Sequence, residues 1–382
     1  MSFRESISSQ NQQRLESGLL RELKTVESAQ GVSVKRGGRE LINFSSNDYL
    51  GLANSNEVKA AAQEGIASWG VGAAASHMVC GHQTPHAMLE KEIAEFVNAE
   101  KAIVFSSGYM ANLAVPSALL SRHDLLLQDK LNHASLIDAG MLCRATARRF
   151  RHLDVDHASQ LIDQANEPHL MLATDGVFSM NGNVAKVQQL AKLCDHENRL
   201  LLVDDAHGFG VLGEKGSGTL EQAGLKPVGQ TLMIGTLSKA IGSFGAFVAG
   251  DAIWIDHLVQ FARPYIYTTS LPPAVVEATR TSLSLVREPS RRAKLKQNVE
   301  LFRSLARAKG IDVLDSDTPI QSVLFGSPVD AVQASRRLEQ VGFLVVAIRP
   351  PTGPAGTSRL RITLSAAHEH EQIEGLVKAM KP

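Results

Sequence analysis

Three cysteines in 382 residues, Cys80, Cys143 and Cys194, are too few and too widely spaced for a disulfide framework. No CxxC pair occurs, nor any close histidine pairing of the kind metal sites use, so reduced thiols and no metal are expected. Net charge of either sign is also missing, because 39 Lys and Arg balance 39 Asp and Glu without a polybasic run. That removes the electrostatic footprint of a nucleic-acid binder or an anionic-membrane binder. No apolar stretch approaches a membrane span, and Met1 to Gln10 carry charge and amides where a signal peptide needs an apolar core. Internal repeats and low-complexity segments are absent too. A soluble, cytoplasmic, small-molecule enzyme is the expectation.

What is present is length enough for a large cored unit and at least one smaller one. Periodicity predicts an amphipathic helix over 10–23 and a strand pair over 32–44 with a Gly37-Gly38 turn. These belong to an N-terminal arm, residues 1–55. Over 56–285, helical patterns alternate with short apolar runs at 102–105, 125–127, 170–173, 200–203, 232–234 and 246–249. Such runs predict parallel strands buried on both faces. Beyond Pro272-Pro273 come a charged helical stretch at 288–309, then strand and helix patterns at 321–325, 329–340, 344–348 and 360–364 and a final helix. The expected fold is therefore α/β: a large domain (56–285) with a mostly parallel central sheet flanked by helices, and a small C-terminal α/β domain (286–382).

In open α/β sheets ligands collect at the carboxyl ends of the strands. After 102–105 comes Ser106-Ser-Gly-Tyr-Met-Ala-Asn112, a small-residue turn opening a helix, where free N–H groups can hold a phosphate. After 125–127 comes His133, after 170–173 the loop Thr174-Asp-Gly-Val-Phe-Ser179, and after 200–203 Asp204-Asp-Ala-His207. A strand-end carboxylate is costly to bury without a cationic partner. After 232–234 comes Gly235-Thr-Leu-Ser-Lys239, a lysine among small and apolar residues, which favours the neutral amine that forms Schiff bases. Taken singly, these read as an ordinary turn, a capping histidine, a solvated loop and a surface lysine. Together they are the phosphate cradle, ring partner, cation partner, hydroxyl donors and amine that pyridoxal phosphate requires. Gly208-Phe-Gly-Val-Leu-Gly213 matches a dinucleotide fingerprint, but the residues after it are not helical and no strand-end acid follows at the right distance, so a dinucleotide oxidoreductase is set aside.

The segments Asp204-Asp-Ala-His-Gly208 and Thr236-Leu-Ser-Lys239 resemble the cofactor motifs of the α-oxoamine synthases, a family of fold-type I pyridoxal-phosphate enzymes. The resemblance runs through nearly the whole chain, including Asn43 to Leu52, Phe261 to Thr269, Ile348-Arg-Pro-Pro-Thr352 and Arg359 to Leu364. It implies that Lys239 carries the cofactor, Asp204 pairs with its pyridinium nitrogen, His133 stacks on its ring, and Ser179 and His207 meet its hydroxyl. Lys239, His133 and Asp204 are then the catalytic residues. The phosphate takes the Gly108 and Tyr109 backbone and the Thr236 hydroxyl, with Thr268 or Thr269 from the partner of a homodimer whose sites lie at the subunit interface.

For substrates, the resemblance implies that Arg361, assisted by Asn47, binds a carboxylate, and that Arg21 and Thr352 meet an acyl thioester. The Ile348 to Thr352 segment is similar to the branch that condenses L-alanine with a pimeloyl thioester, on CoA or on acyl carrier protein. A sister enzyme such as a 2-amino-3-ketobutyrate CoA ligase, and a non-catalytic scaffold subunit, are the alternatives. Asp175 stands where Glu is expected, Gly70-Val-Gly-Ala-Ala-Ala-Ser-His77 replaces a loop richer in glycine and serine, and His82 occupies a Tyr or His position.

Overall fold

Short aliphatic runs bounded by turns build one seven-stranded sheet in the computed structural model, which describes residues 1–350 and 352–380. Its order is Lys101–Phe105, Ala246–Gly250, Thr231–Thr236, Arg199–Asp204, Leu170–Asp175, Leu125–Asp129 and Thr146–Phe150. Six of these are the sequence-predicted runs or the edge strand beside them, running parallel; Ala246–Gly250 is antiparallel to both neighbours. The reason is the connection: only residues 237–245 separate it from Thr231–Thr236, too few for the crossover that a parallel pair needs. Thr146–Phe150 escapes the apolar-run criterion because it is an edge strand, paired only to Leu125–Asp129 and carrying Arg148 and Arg149.

This sheet belongs to the larger of two compact units, Leu50–Ser179 with Asn183–Arg292. Its core is aliphatic and close-packed, with Leu126, Met171, Leu202, Ile234 and Val248 fully buried. Helices Asn56–Trp69 and Pro273–Arg287 approach so closely that a Cβ on Gly65 would lie 2.8 Å from the Ala274 Cα.

Helix Thr84–Val97 of the same unit buries Glu90, whose Oε1 accepts the Val104 N–H at 3.0 Å while Oε2 lies 3.6 Å from His82 Nε2. His82 turns its other nitrogen, Nδ1, to His77 Nδ1 at 2.9 Å. Burial pushes Glu90 from 4.5 up to about 8, against the smaller pull of the Val104 N–H and Lys101. The native state therefore holds this proton through a range in which the unfolded chain has released it, and stability falls as pH rises from about 4.5 to about 8. Glu90→Gln keeps the acceptor for Val104 and removes the titration. Its melting temperature should exceed that of the parent at pH 8 and match it near pH 4.5; thermal unfolding at both pH values checks this.

The smaller unit comprises Met1–Tyr49, Met180–Gly182 and the chain from Ala293 on. The expected hairpin is Ser33–Arg36 with Arg39–Asn43, turning through Gly37 and Gly38 at φ +57° and +72°, the paired positive angles of a tight hairpin turn. Phe343–Leu344 adds to Arg39–Asn43 in parallel. A second sheet orders Ile320–Gly326, Ser358–Thr363 and Val346–Ile348, with helix Pro328–Gln340 packed on it. The N-terminal helix spans Phe3–Glu16, earlier than the 10–23 expected. Ser2 and Glu5 form a reciprocal capping box that starts it, and Gly18 at φ +65° follows its end. Among the described residues, no helix is long and apolar enough to cross a membrane.

Candidate active site

The carboxyl ends of the larger unit's strands open into a cavity of about 180 Å3. Gly108, Tyr109, His133, Ser179, Asp204, His207, Thr236 and Lys239, all singled out in the sequence, line it together with Asn112, Ser135, Asp175 and Ser238.

Gly108–Leu119 is a helix capped by Ser107, whose hydroxyl accepts the Met110 N–H at 3.3 Å. The first-turn N–H groups of Gly108 and Tyr109 precede the first intrahelical bond, and the helix dipole adds positive potential there. Thr236, last residue of its strand, places Oγ1 2.9 Å from Ser238 Oγ and donates to the Gly245 carbonyl at 3.1 Å. This end of the cavity can hold a phosphate.

Asp204 ends its strand with its carboxylate buried, accepting from Asn112 Nδ2 at 2.5 Å and from the Ala206 N–H at 3.1 Å. Asp175 sits beside it in register. Burial, then the charge of Asp204, pushes the Asp175 carboxyl well above the ordinary range. Two adjacent buried acids fit a ligand that brings a cation.

Asp175 also organises the cavity, because both its oxygens accept the His133 N–H, at 3.0 and 3.1 Å. His133 caps the helix Ala134–Leu142 through Nδ1, which takes the Ser135 N–H at 3.3 Å and leaves the ring proton on Nε2. His133 is thus the capping histidine, and it also lines the cavity. Desolvation lowers its pKa, with Asp204 raising it, Lys239 lowering it and Asp138 raising it to smaller extents, so the ring is neutral near pH 7. Ser135 Oγ contacts His133 Nδ1 at 2.7 Å and accepts from Asn112 Nδ2 at 2.8 Å. A continuous chain therefore runs Asp204, Asn112, Ser135, His133. The sequence reading quoted Asn112 without assigning it a role and passed over Ser135; the signal for Asn112 was spacing, since it lies four residues after Gly108, on one helix face with it.

Lys239 Nζ meets His207 Nε2 at 2.9 Å. The lysine opens a tight turn in which Gly242, at φ +67°, backs onto Leu52 and Ala53 so closely that a Cβ would lie 2.4 Å from the Ala53 nitrogen. An amine, a buried carboxylate and a helix N-terminus converging on one cavity are the donor set that pyridoxal phosphate needs for its carbonyl, ring nitrogen and phosphate. The residues fit the cofactor.

Other candidates lie elsewhere. Thr269 bridges Ser76, and Thr268 and Thr269 are not among the residues lining the cavity. The departing loop that Thr269 touches carries Ala74 at φ +59°, a conformation that costs a non-glycine residue about 1 kcal/mol. In the smaller unit, Arg361 Nη2 donates to Asn47 Oδ1 at 3.1 Å, and buried Tyr49 donates to the same oxygen at 3.2 Å. Arg21 Nη2 donates to Thr352 Oγ1 at 2.8 Å. Pro351, within the Ile348 to Thr352 motif, lies outside the described residues.

Fold and site define a fold-type I pyridoxal-phosphate enzyme. Residues 39–380 match the model of the aminotransferase class I and II family. An 8-amino-7-oxononanoate synthase of Methylococcus capsulatus is 52% identical over 356 residues, 93% of this chain and 92% of that one. Another, of Thioalkalivibrio sulfidiphilus, is 49% identical over 97% of this chain and 95% of its own length. The chain belongs to the aminotransferase class I and II family and, within it, to the 8-amino-7-oxononanoate synthases. Among solved structures, a serine palmitoyltransferase of S. paucimobilis with a bound PLP-myriocin aldimine matches with a TM-score of 0.92 at 29% identity, covering 98% of this chain and 96% of that one. An 8-amino-7-oxononanoate synthase of Francisella tularensis matches with a TM-score of 0.77 at 32% identity, covering 89% and 96%. The shared scaffold thus spans enzymes named for different substrates.

Proposed function

We propose that this chain condenses L-alanine with a pimeloyl thioester, on CoA or acyl carrier protein, releasing CO2 and free thiol and forming 8-amino-7-oxononanoate for biotin synthesis. The observation that carries the reading is the convergence of Lys239, His207, Asp204 and His133 on one cavity. Relatives of that name at about 50% identity support the substrate pair over that of a sister enzyme. The retained lysine and acids weigh against a non-catalytic scaffold.

Pyridoxal phosphate, when bound, supplies an electron-withdrawing ring conjugated to the amino-acid α-carbon. Asp204 keeps a positive charge on the ring nitrogen favourable, and Asn112 holds that carboxylate in place. Gly108, Tyr109 and Thr236 would hold its phosphate, and Ser179 and His207 would meet its ring hydroxyl. The Lys239 amine takes the α-proton as general base and returns it after decarboxylation. Neutral His133, its proton on Nε2, lines the same cavity, and with the cofactor bound it would stack on the ring and donate to the thioester oxygen as charge develops there. Arg361, steadied by Asn47, binds the alanine carboxylate with its planar fork. Arg21 and Thr352, already hydrogen-bonded to one another, receive the acyl thioester. The enzyme works as a cytoplasmic homodimer, with Thr268 or Thr269 of each chain completing the other's phosphate site.

Thiol release tests the reading, with L-alanine plus pimeloyl-CoA or pimeloyl-acyl carrier protein set against glycine plus acetyl-CoA and L-serine plus palmitoyl-CoA. Turnover confined to alanine and a pimeloyl thioester is the expected result. Preference for another pair moves the chain to a sister reaction.

A further inference from the structure

We propose that Asp205 is a positioning residue for the reaction, holding the turn that presents His207 to Lys239. The inference rests on the functional reading above and assigns a task to an acid that lines no part of the cavity.

Strand alternation sends the two neighbouring acids to opposite sides. Asp204 faces the cavity, while Asp205, with no exposed surface, points away from it. Its Oδ2 accepts the Thr219 N–H at 2.6 Å, and its Oδ1 accepts the Thr219 hydroxyl. Three glycines close around the same carboxylate: a Cβ at Gly176 would lie 2.5 Å from Oδ1, one at Gly208 2.0 Å from Oδ1, and one at Gly218 1.9 Å from Oδ2. Any side chain there would displace it. One carboxylate thus pins the turn after Leu170–Asp175, the turn holding His207, and the entry to Thr219–Gln222.

The Asp205 carbonyl adds to this by accepting the Gly208 and Phe209 N–H groups at 3.1 and 2.9 Å. Gly210, at φ +83°, then packs on Ala240, the neighbour of Lys239, with a Cβ position 2.7 Å from the Ala240 Cβ. Gly213 wraps the Glu221 carboxylate, which accepts the Lys215 and Ser217 N–H groups at 2.9 Å each. The glycine run that imitates a dinucleotide fingerprint is therefore a loop wrapped on two carboxylates and on the residue beside Lys239. Burial pushes Asp205 up to about 7, a cost offset in part by the Thr219 donors.

Asp205→Asn and Thr219→Val, each loaded with pyridoxal phosphate, test the proposal by the pH titration of the visible Schiff-base absorbance, by kcat and KM, and by melting temperature. The parent should show a band that Lys239→Ala lacks. Asp205→Asn should shift the titration midpoint by about half a pH unit or more and lower kcat about tenfold, with thioester KM within about twofold. Thr219→Val should move the midpoint the same way by less. A changed melting temperature with unchanged midpoint and kcat in Asp205→Asn overturns the proposal, leaving Asp205 a purely structural residue. If that variant does not fold, an unmoved midpoint in Thr219→Val overturns it equally. A parent protein with no such band sinks the functional reading itself, a result distinct from either.

Discussion

Lys239→Ala should lose the visible Schiff-base absorbance and lower thiol release by about 10^3-fold or more while the protein still melts cooperatively. The substitution removes the one lysine that lines the cavity among the described residues, and with it the partner of His207 Nε2. Two tasks vanish at once, the covalent hold on the cofactor and the amine that moves the α-proton. Neither His207 nor His133 replaces an amine that forms a Schiff base. Packing is little affected, because the backbone turn is fixed independently by the Gly242 N–H donating to the Lys239 carbonyl at 2.8 Å and by Gly242 against Ala53. Added methylamine or ethylamine should restore part of the turnover by supplying a free base. Retention of more than a tenth of the parent rate would falsify the role given to Lys239.

The second large effect is expected at Asp204. Removing one unit charge from beside a cationic centre in a partly dry site costs on the order of 3 kcal/mol, roughly a hundredfold in rate. Asp204→Asn is the sharper test than alanine, because it keeps the shape. The variant's amide oxygen still accepts the Ala206 N–H, and Asn112, whose buried Oδ1 has no hydrogen-bond partner, can rotate to accept from the new amide. Folding is therefore preserved while the charge is lost. A further consequence follows at Asp175, whose carboxyl is raised by burial and then by Asp204: with the neighbouring charge gone, Asp175 should ionise at lower pH. The measurements are kcat/KM, expected to fall about 10^2-fold, and the primary deuterium isotope effect from α-deuterated alanine, expected to rise as proton abstraction becomes slower. A rate within a few-fold of the parent, at full cofactor occupancy, overturns the pairing.

Much of this site is legible in the chain because a buried parallel strand announces itself as an apolar run and the residue after it stands at the sheet's ligand-binding edge. His133, Asp204, His207, Thr236 and Lys239 were all found this way, and the cavity brings them together. Asn112 was quoted without a task and Ser135 was passed over, since a mid-helix amide and a first-turn hydroxyl look ordinary until a carboxylate from another strand is placed against them. The edge strand Thr146–Phe150 stayed hidden because exposure on one side lets arginine replace the apolar residues that mark interior strands.

By itself, then, the sequence determined which chemical groups end each strand, because local pattern sets strand position and strand position sets the edge. Tertiary structure decided how those groups bear on one another. The hydrogen-bond chain from Asp204 to His133 spans helices and strands far apart in the chain. The antiparallel turn of Ala246–Gly250 and the pairing of Phe343–Leu344 with Arg39–Asn43 are likewise matters of chain closure. The meaning of Gly208, Gly210 and Gly213 came only with the fold, for a glycine in sequence records freedom, and the carboxylate or methyl group that needs the space becomes visible only once the chain has closed around it.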